Sequence, residues 1–396
     1  MPIRSYRDKF AHIRYVAASS FTPVQQQSLK IMKIAQVAPL FESVPPKLYG
    51  GTERVVSFLT EALVEMGQDV TLFATGDSST SAHLVPIVPE ALRLSKVIRD
   101  PYASHILQLQ QVVEQAGRFD IIHFHTDYFH FPVSRLSGYS HITTLHGRLD
   151  LLELAPLYRK FCDIPLVSIS HAQRTPLEVA NFVSNVYHGL PENLFRQGTG
   201  AGNYAVVVGR FSPEKGIDKA IEISQKANIP IKIAAKVDAQ DRDYFESEIK
   251  HLLELPHVEY LGEIDESQKQ EVLGNAKVFL FPIDWPEPFG MVMIESMACG
   301  TPVVAYDQGS VREIISPGRS GYIVDNVDEA VAAIRNIGNI SRDDCRAEFM
   351  SRFEAKTMAS NYLRVYEQVI RENEQIRLPF ADGRQNKVYI DNMLSA

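Results

Sequence analysis

Cysteine is scarce in this 396-residue chain, which holds only Cys162, Cys299 and Cys345. Their separations match no metal-ligand spacing, which excludes a cysteine-built zinc site or disulfide scaffold and points to a reducing, cytoplasmic setting. No run is long and apolar enough to span a bilayer. Positive charge is not in excess either: 40 Lys+Arg against 48 Asp+Glu leave a formal charge of -8. That balance argues against a nucleic-acid partner, although a local basic cleft for a diphosphate is compatible with it. Also missing is a Gly-x-Gly-x-x-Gly turn close behind the first strand, so the chain carries no nicotinamide-binding fingerprint. What is present is 45% hydrophobic content, ample for packed cores. At about 150 residues per domain the length suggests two or three domains.

Residues 1–31 stand apart. Arg4, Arg7, Lys9, Arg14 and Lys30 face a single acid, Asp8, and the continuous apolar centre of a secretory signal is lacking. A flexible extension ahead of Met32 is expected, with a basic arm touching a membrane surface as the sharper alternative. From Lys33 short apolar runs alternate with helical patterns. Ile34 to Ala38, Asp69 to Ala74, Asp120 to Phe124, His141 to Leu145 and Leu166 to Ile169 read as strands, with helices such as Glu53 to Met66 and Ile106 to Ala116 between them. After Gln197-Gly-Thr-Gly-Ala-Gly202 the pattern restarts with Tyr204 to Val208, Ile231 to Ala235, Val258 to Leu261, Val278 to Phe281, Pro302 to Ala305 and Gly321 to Val324.

The expected fold class is therefore α/β: two doubly wound, Rossmann-like units facing across a cleft, with ligands at the carboxyl ends of the strands. The expected segments are an extension over 1–31, a first domain over 32–196, a flexible linker over 197–203 and a second domain over 204–352. A closing helix over 353–372, patterned from Thr357 to Ile370, and a tail over 373–396 complete the chain.

Candidate chemistry sits at the strand ends. In Glu287-Pro-Phe-Gly-Met-Val-Met-Ile-Glu295 one carboxylate precedes a helix and the other lies within it. The helix start at Phe289, Gly290, Met291 and Val292 offers unpaired N–H groups to a phosphate. Behind the strand ending at Val208, Gly209-Arg210-Phe-Ser-Pro-Glu-Lys215-Gly sets two cations five apart, suited to gripping a diphosphate. Gly50 and Gly51 run into a helix, with Thr52 its expected N-cap. His146 ends a strand and precedes Gly147; a neutral imidazole there could accept or donate a hydrogen bond. His123, His125 and Asp127 imitate a metal site without a common ligand spacing, and Asp241-Arg242-Asp243 falls where acids at a helix start are expected anyway. No metal is expected.

These motifs resemble those of retaining glycosyltransferases of the GT4 type (glycosyl transferases group 1), which have the GT-B architecture, from Lys33 to about Glu372. The resemblance implies a metal-independent hexosyltransferase, without cofactor, moving a sugar from a nucleoside-diphosphate sugar to an acceptor hydroxyl. Glu287 would face the sugar and Glu295 the ribose; Arg210 and Lys215 would neutralise the leaving diphosphate. His146 would lie against the sugar, Gly50 and Gly51 beside the acceptor and the donor phosphate, and Gly262, in Val258-Glu-Tyr-Leu-Gly-Glu-Ile264, beside the base. It also implies that the closing helix packs on the first domain. A sugar-nucleotide epimerase or phosphorylase of the same fold, and a non-catalytic nucleotide-binding module, stay open as alternatives. The sequence does not choose among UDP-glucose, GDP-mannose and UDP-N-acetylglucosamine; UDP-glucose is the default on base rate alone. The acceptor could be a saccharide, a lipid-linked glycan reached by peripheral contact at the inner membrane face, or a small molecule.

Overall fold

The structure is a computed structural model that describes residues 31–47 and 50–377, with side chains as far as Gln375. The amino-terminal extension up to Lys30, Tyr49 of the glycine-containing loop and the tail beyond Arg377 lie outside the described residues.

Among the described residues thirteen strands form two sheets. β1 (Lys33–Val37), β2 (Asp69–Ala74), β3 (His83–Pro86), β4 (Ile121–Phe124), β5 (His141–Thr144), β6 (Leu166–Ser168) and β7 (Phe182–Asn185) build the first, in the order β3-β2-β1-β4-β5-β6-β7. β8 (Ala205–Arg210), β9 (Ile231–Lys236), β10 (Val258–Gly262), β11 (Val278–Phe281), β12 (Val303–Tyr306) and β13 (Gly321–Val324) build the second, in the order β10-β9-β8-β11-β12-β13. Every pairing between these strands is parallel. Parallel strands need crossovers, so helices cover the faces and the central strands, such as Ile121–Phe124 and Val278–Phe281, are buried along their whole length. Chain order reverses between β1 and β4 and between β8 and β11, which opens a crevice at the carboxyl end of each sheet.

Two strands, β3 and β7, escape the sequence pattern. β3 ends in Pro86 at the sheet edge and β7 is only half-buried along its length, so neither carries the apolar run of an inner strand. The helical pattern over Tyr244 to Leu255 also divides: an α-turn at Arg242–Tyr244 passes into a π segment, Phe245–Ile249, and a 3-10 segment, Lys250–Glu254. Phe245 and Ile249 still face inward, Phe245 lying 5.0 Å from the Phe211 ring.

The stretch Gln197 to Gly202 is not the flexible linker its composition suggests. The N–H groups of Gly198, Gly200 and Gly202 donate to the carbonyls of Cys299, Gly274 and Asn275 at 2.9–3.0 Å, and Arg342 Nε donates to Gly198 O at 3.1 Å. A Cβ on Gly198 would come within 2.1 Å of Gly274 O. Glycine serves close backbone approach here rather than freedom. The two passages between the lobes instead run side by side: Leu190 N–H donates to Phe353 O and Ala355 N–H to Leu190 O, at 2.9 and 2.8 Å.

The closing helix, Ala355–Arg377, is longer than its pattern indicated. It buries Met358, Ala359, Tyr362, Val365, Tyr366 and Val369, a stripe with helical spacing. This stripe lies on the first lobe. Tyr362 hydroxyl is 2.9 Å from Thr144 Oγ1, Tyr366 hydroxyl accepts from Gln36 Nε2 at 3.0 Å, and Lys356 pairs with Glu65 at 2.9 Å.

Replacing Gly198 by alanine is expected to lower unfolding free energy by roughly 1–3 kcal/mol, the usual cost of forced overpacking. Gly117→Ala, where a Cβ meets nothing within 4 Å, serves as the control. Urea midpoints for both variants check this; equal midpoints would contradict the close-approach account.

Candidate active site

The carboxyl ends of both sheets open into one cavity of about 1720 Å³. A single small-ligand pocket typically occupies about 300–1,000 Å³, so this cleft has room for two substrates side by side. Its walls come from the segments after β1, β4, β5 and β7 on one lobe and from those after β8, β9, β10 and β11 on the other.

On the second lobe the helix Met291–Ala298 begins at Gly290, whose φ of 79° lies in the left-handed region. A Cβ there would come closest to the movable end of Met293, at 2.7 Å from Cε, so it is the positive φ that calls for glycine. No side chain caps this helix start, and Phe289, Gly290, Met291 and Val292 line the cleft with its unpaired N–H groups nearby. Glu287 stands before the helix. Its Oε2 takes up Lys215 Nζ at 2.5 Å and accepts from Trp285 Nε1 at 3.1 Å. The Trp285 ring is flanked by cations, with Lys215 Nζ 5.7 Å and the Arg148 guanidinium carbon 5.4 Å from its centroid. Glu295, one turn into the helix, is buried and paired with Lys269 at 3.0 Å.

Arg210 and Gly209, at the end of β8, also line the cleft. The Arg210 guanidinium is ringed by Glu214 at 3.3 Å, Asp238 at 3.6 Å and Asp241 at 3.7 Å. Asp241, from the acid-x-acid sequence, is therefore a partner of this arginine. Gly262, expected beside the base, does not line the cavity, whereas Glu263 and Ile264 immediately after it do; the glycine makes the turn, at φ 74°, and the following residues face the cleft.

On the first lobe Gly50 and Gly51 line the cleft and the helix starts at Gly51, one residue before the expected cap. Thr52 lies inside it and no side chain caps it. A second uncapped helix start thus borders the same cavity. Across the mouth, Arg54 of this helix pairs with Glu266 of the second lobe. At the back, Glu313 of the second lobe accepts from the His171 and Ala172 N–H groups, both at 2.7 Å.

His146 lines the wall of the first lobe, and its ring stacks on that of His188 at 5.2 Å. His146 Nε2 is 2.9 Å from His125 Nδ1, while its Nδ1 is buried without a protein partner. Burial pulls the His146 pKa down to about 3 and those of His123, His125 and His188 well below the ordinary value. The four imidazoles are neutral at physiological pH. Among the described residues no three or more His, Cys, Asp or Glu side chains come together as a metal site.

The structure thus brings together every expected site residue except Gly262 along one cavity. Sequence reasoning missed four others. Trp285 is the sole tryptophan of the chain and sits two residues before Glu287; Lys269 and Arg148 reach the site from outside the motifs. His188 repeats the arrangement of His146, a His-Gly pair after a strand, and that repetition was the available signal. Asp127 was weighed only as a metal ligand. Held at φ 49° with its side chain facing the open cleft, it is surrounded by enough protein to push its pKa up to about 6.

Comparison with known proteins settles the family. Residues 192–357 match Glycosyl transferases group 1, and residues 49–208 match Glycosyltransferase Family 4. The chain belongs to the group 1, or GT4, glycosyltransferases. It is 24% identical over 391 residues to a phosphatidyl-myo-inositol mannosyltransferase of Mycobacterium leprae, covering 88% of this chain and 100% of the relative. The fold matches sucrose-phosphate synthase of Thermosynechococcus elongatus with a TM-score of 0.68 at 19% identity, covering 86% of this chain and 100% of that one. It also matches Anabaena HepE, solved in complex with UDP-glucose, with a TM-score of 0.64 at 18% identity over 85% and 100% of the two chains. The two-lobed architecture is GT-B, and this GT4 protein is a transferase acting on sugar donors. No helix among the described residues is long and apolar enough to cross a membrane.

The buried histidines set a pH dependence of stability. Each is neutral when folded and protonates near its ordinary value of 6.5 when unfolded, so unfolding takes up protons below that pH. Stability is expected to fall as pH drops from about 6.5, with a limiting slope of about 1.4 kcal/mol per pH unit for each histidine. Thermal melts at pH 7 and 5, with proton uptake from calorimetry in two buffers, check this; release of protons on unfolding would refute it.

Proposed function

We propose that this glycosyltransferase moves a sugar from a nucleoside-diphosphate sugar to an acceptor hydroxyl with retention of anomeric configuration, without a metal. The observation that carries this reading is the meeting of Lys215 with Glu287 at one end of a cleft that also holds two uncapped helix starts. A donor diphosphate has two needs, fixed positive charge and N–H donors, and both are grouped there. Its phosphates would draw Lys215 away from Glu287 and free that carboxylate for the sugar hydroxyls. Arg210, already shared among three acids, would grip the diphosphate with the face its carboxylates leave open. Cations and helix starts would thereby do the work that a metal does in other phosphate-transfer sites.

In the transfer step the bond from the anomeric carbon to the diphosphate oxygen breaks, and its electron pair leaves on the phosphate. The acceptor oxygen bonds to the anomeric carbon from the same face, and its proton passes to the departing phosphate oxygen. Fixed charges stabilise the leaving group without reorganising, and neutral imidazoles beside the sugar add no competing cation. Closure of the lobes across the Arg54–Glu266 pair would exclude water and limit donor hydrolysis. The UDP-glucose bound to HepE supports a nucleotide-sugar donor. The phosphatidyl-myo-inositol in the mycobacterial relative's name supports an acceptor that is a polyol headgroup presented at a membrane surface.

Trp285 supplies the assay, since its fluorescence reports ligand binding beside Lys215 and Glu287. Titration with a panel of UDP- and GDP-sugars is expected to give saturable quenching with one base class. Lys215→Ala should lower kcat by roughly 10²–10³-fold, the usual cost of one transition-state charge contact, with circular dichroism unchanged. Anomeric NMR of the product distinguishes the alternatives: a new glycosidic bond with the donor's configuration supports retaining transfer. An inverted product, transfer to inorganic phosphate or nucleotide binding without turnover would each overturn it.

A further inference from the structure

The buried polar groups behind His146 form a single hydrogen-bonded chain that the transfer chemistry above does not use. His146 Nε2 lies 2.9 Å from His125 Nδ1, and His125 Nε2 lies 2.7 Å from Gln36 Oε1. Gln36 Nε2 donates to the Tyr366 hydroxyl at 3.0 Å, and that hydroxyl is 2.8 Å from His123 Nδ1. The chain spans three central strands of the first lobe and ends on the closing helix. Gln36, His123 and Tyr366 have no exposure, and His125 only 2%. We propose that Gln36 and His125 are positioning residues that fix the ring orientation and tautomer of His146, with the Tyr366 hydroxyl as their anchor.

The argument is one of proton counting. An amide oxygen only accepts, so with Gln36 Oε1 toward it His125 must carry its proton on Nε2. Its Nδ1 is then a bare lone pair and can only accept, which places the His146 proton on Nε2. That spends the Nε2 side of His146 inward. Nδ1, which has no protein partner, is left as a hydrogen-bond acceptor. Turning the Gln36 amide over would reverse every proton and leave His146 Nδ1 as a donor instead. The chain is thus a device with two polarities, and the amide of a residue remote from the ligand selects between them. The arrangement with the oxygen toward His125 makes His146 the acceptor that a sugar hydroxyl, itself a donor, can satisfy. His125, engaged on both nitrogens, cannot take up a further proton without breaking a bond in the chain, and burial lowers its basicity as well. Orientation of a functional histidine through the hydrogen bond on its other nitrogen is a general device.

The proposal rests on the reading of His146 as a sugar-side residue, but its test does not require turnover. Long-range proton–nitrogen NMR of the protein labelled with nitrogen-15 histidine distinguishes the two tautomers directly, with His146→Gln used to assign the His146 signals. The wild type is expected to show one tautomer at His146, protonated on Nε2. Gln36→Leu should convert it to a mixture and lower kcat about tenfold while the donor KM stays within about twofold, as expected for a positioning rather than a binding defect. Tyr366→Phe keeps the ring and removes only the anchor, and should lower kcat about threefold in the same manner. Tyr139→Phe, which removes a hydroxyl of the first lobe that bonds Ser134 Oγ and not this chain, should leave the His146 tautomer unchanged. A tautomeric mixture in the wild type, or an unaltered single tautomer in Gln36→Leu, would overturn the proposal. Loss of the tautomer in Gln36→Leu alongside a wild type inactive toward every donor would uphold the relay and remove the transfer reading instead.

Discussion

Parallel pairing is the constraint from which the rest of this molecule follows. A parallel neighbour can be reached only by a crossover, so every strand of a sheet points the same way and all its outgoing loops emerge along one edge. Two such edges face each other here, and residues from many separate stretches of sequence are collected along them. The same rule explains why two helix starts border one cavity: each follows a strand whose carboxyl end is already there. A site for an anion therefore needs no dedicated element, only glycines where the backbone must come close.

Electrostatically the cleft is divided. The second lobe contributes charge in tight pairs, Lys215 with Glu287 and Lys269 with Glu295, and an arginine shared among three acids. The first lobe contributes imidazoles that burial keeps uncharged. Paired charge can be exchanged for ligand charge at modest cost, because one partner replaces another. Unpaired charge in such a place would have to be desolvated anew for each ligand. The division gives an incoming anion a lysine that can change partners on one side and, where the histidines line the other, an uncharged stretch of wall.

Much of this was legible in the chain itself. The central strands announce themselves because they are buried on both faces, and Gly209 to Gly216 and Glu287 to Glu295 carry their chemistry within a few residues. What escaped reading depends on neighbours distant in sequence. β3 and β7 are half-exposed edges whose residues look like loop. Gln197 to Gly202 has a linker's composition, yet each glycine answers a particular carbonyl or side chain brought up from elsewhere. Thr52 has a cap's identity, but the helix begins one residue before it. His188 and Lys269 acquire meaning only when the loops that hold them are brought to the same wall, and nothing local in Gln36 marks it as the link between two histidines and a tyrosine 330 positions away.

The closing helix also bears on how the protein is made. The first lobe leaves the ribosome complete in its own strands, but the face that holds Gln36, His123 and Thr144 is finished only by Tyr362 and Tyr366, which are made after the whole second lobe. Until the second lobe has been made, that face exposes polar groups and apolar surface that nothing upstream can satisfy. Maturation of the first lobe thus waits on the closing helix, and a nascent chain stalled anywhere between would present chaperones with a sticky, half-covered sheet.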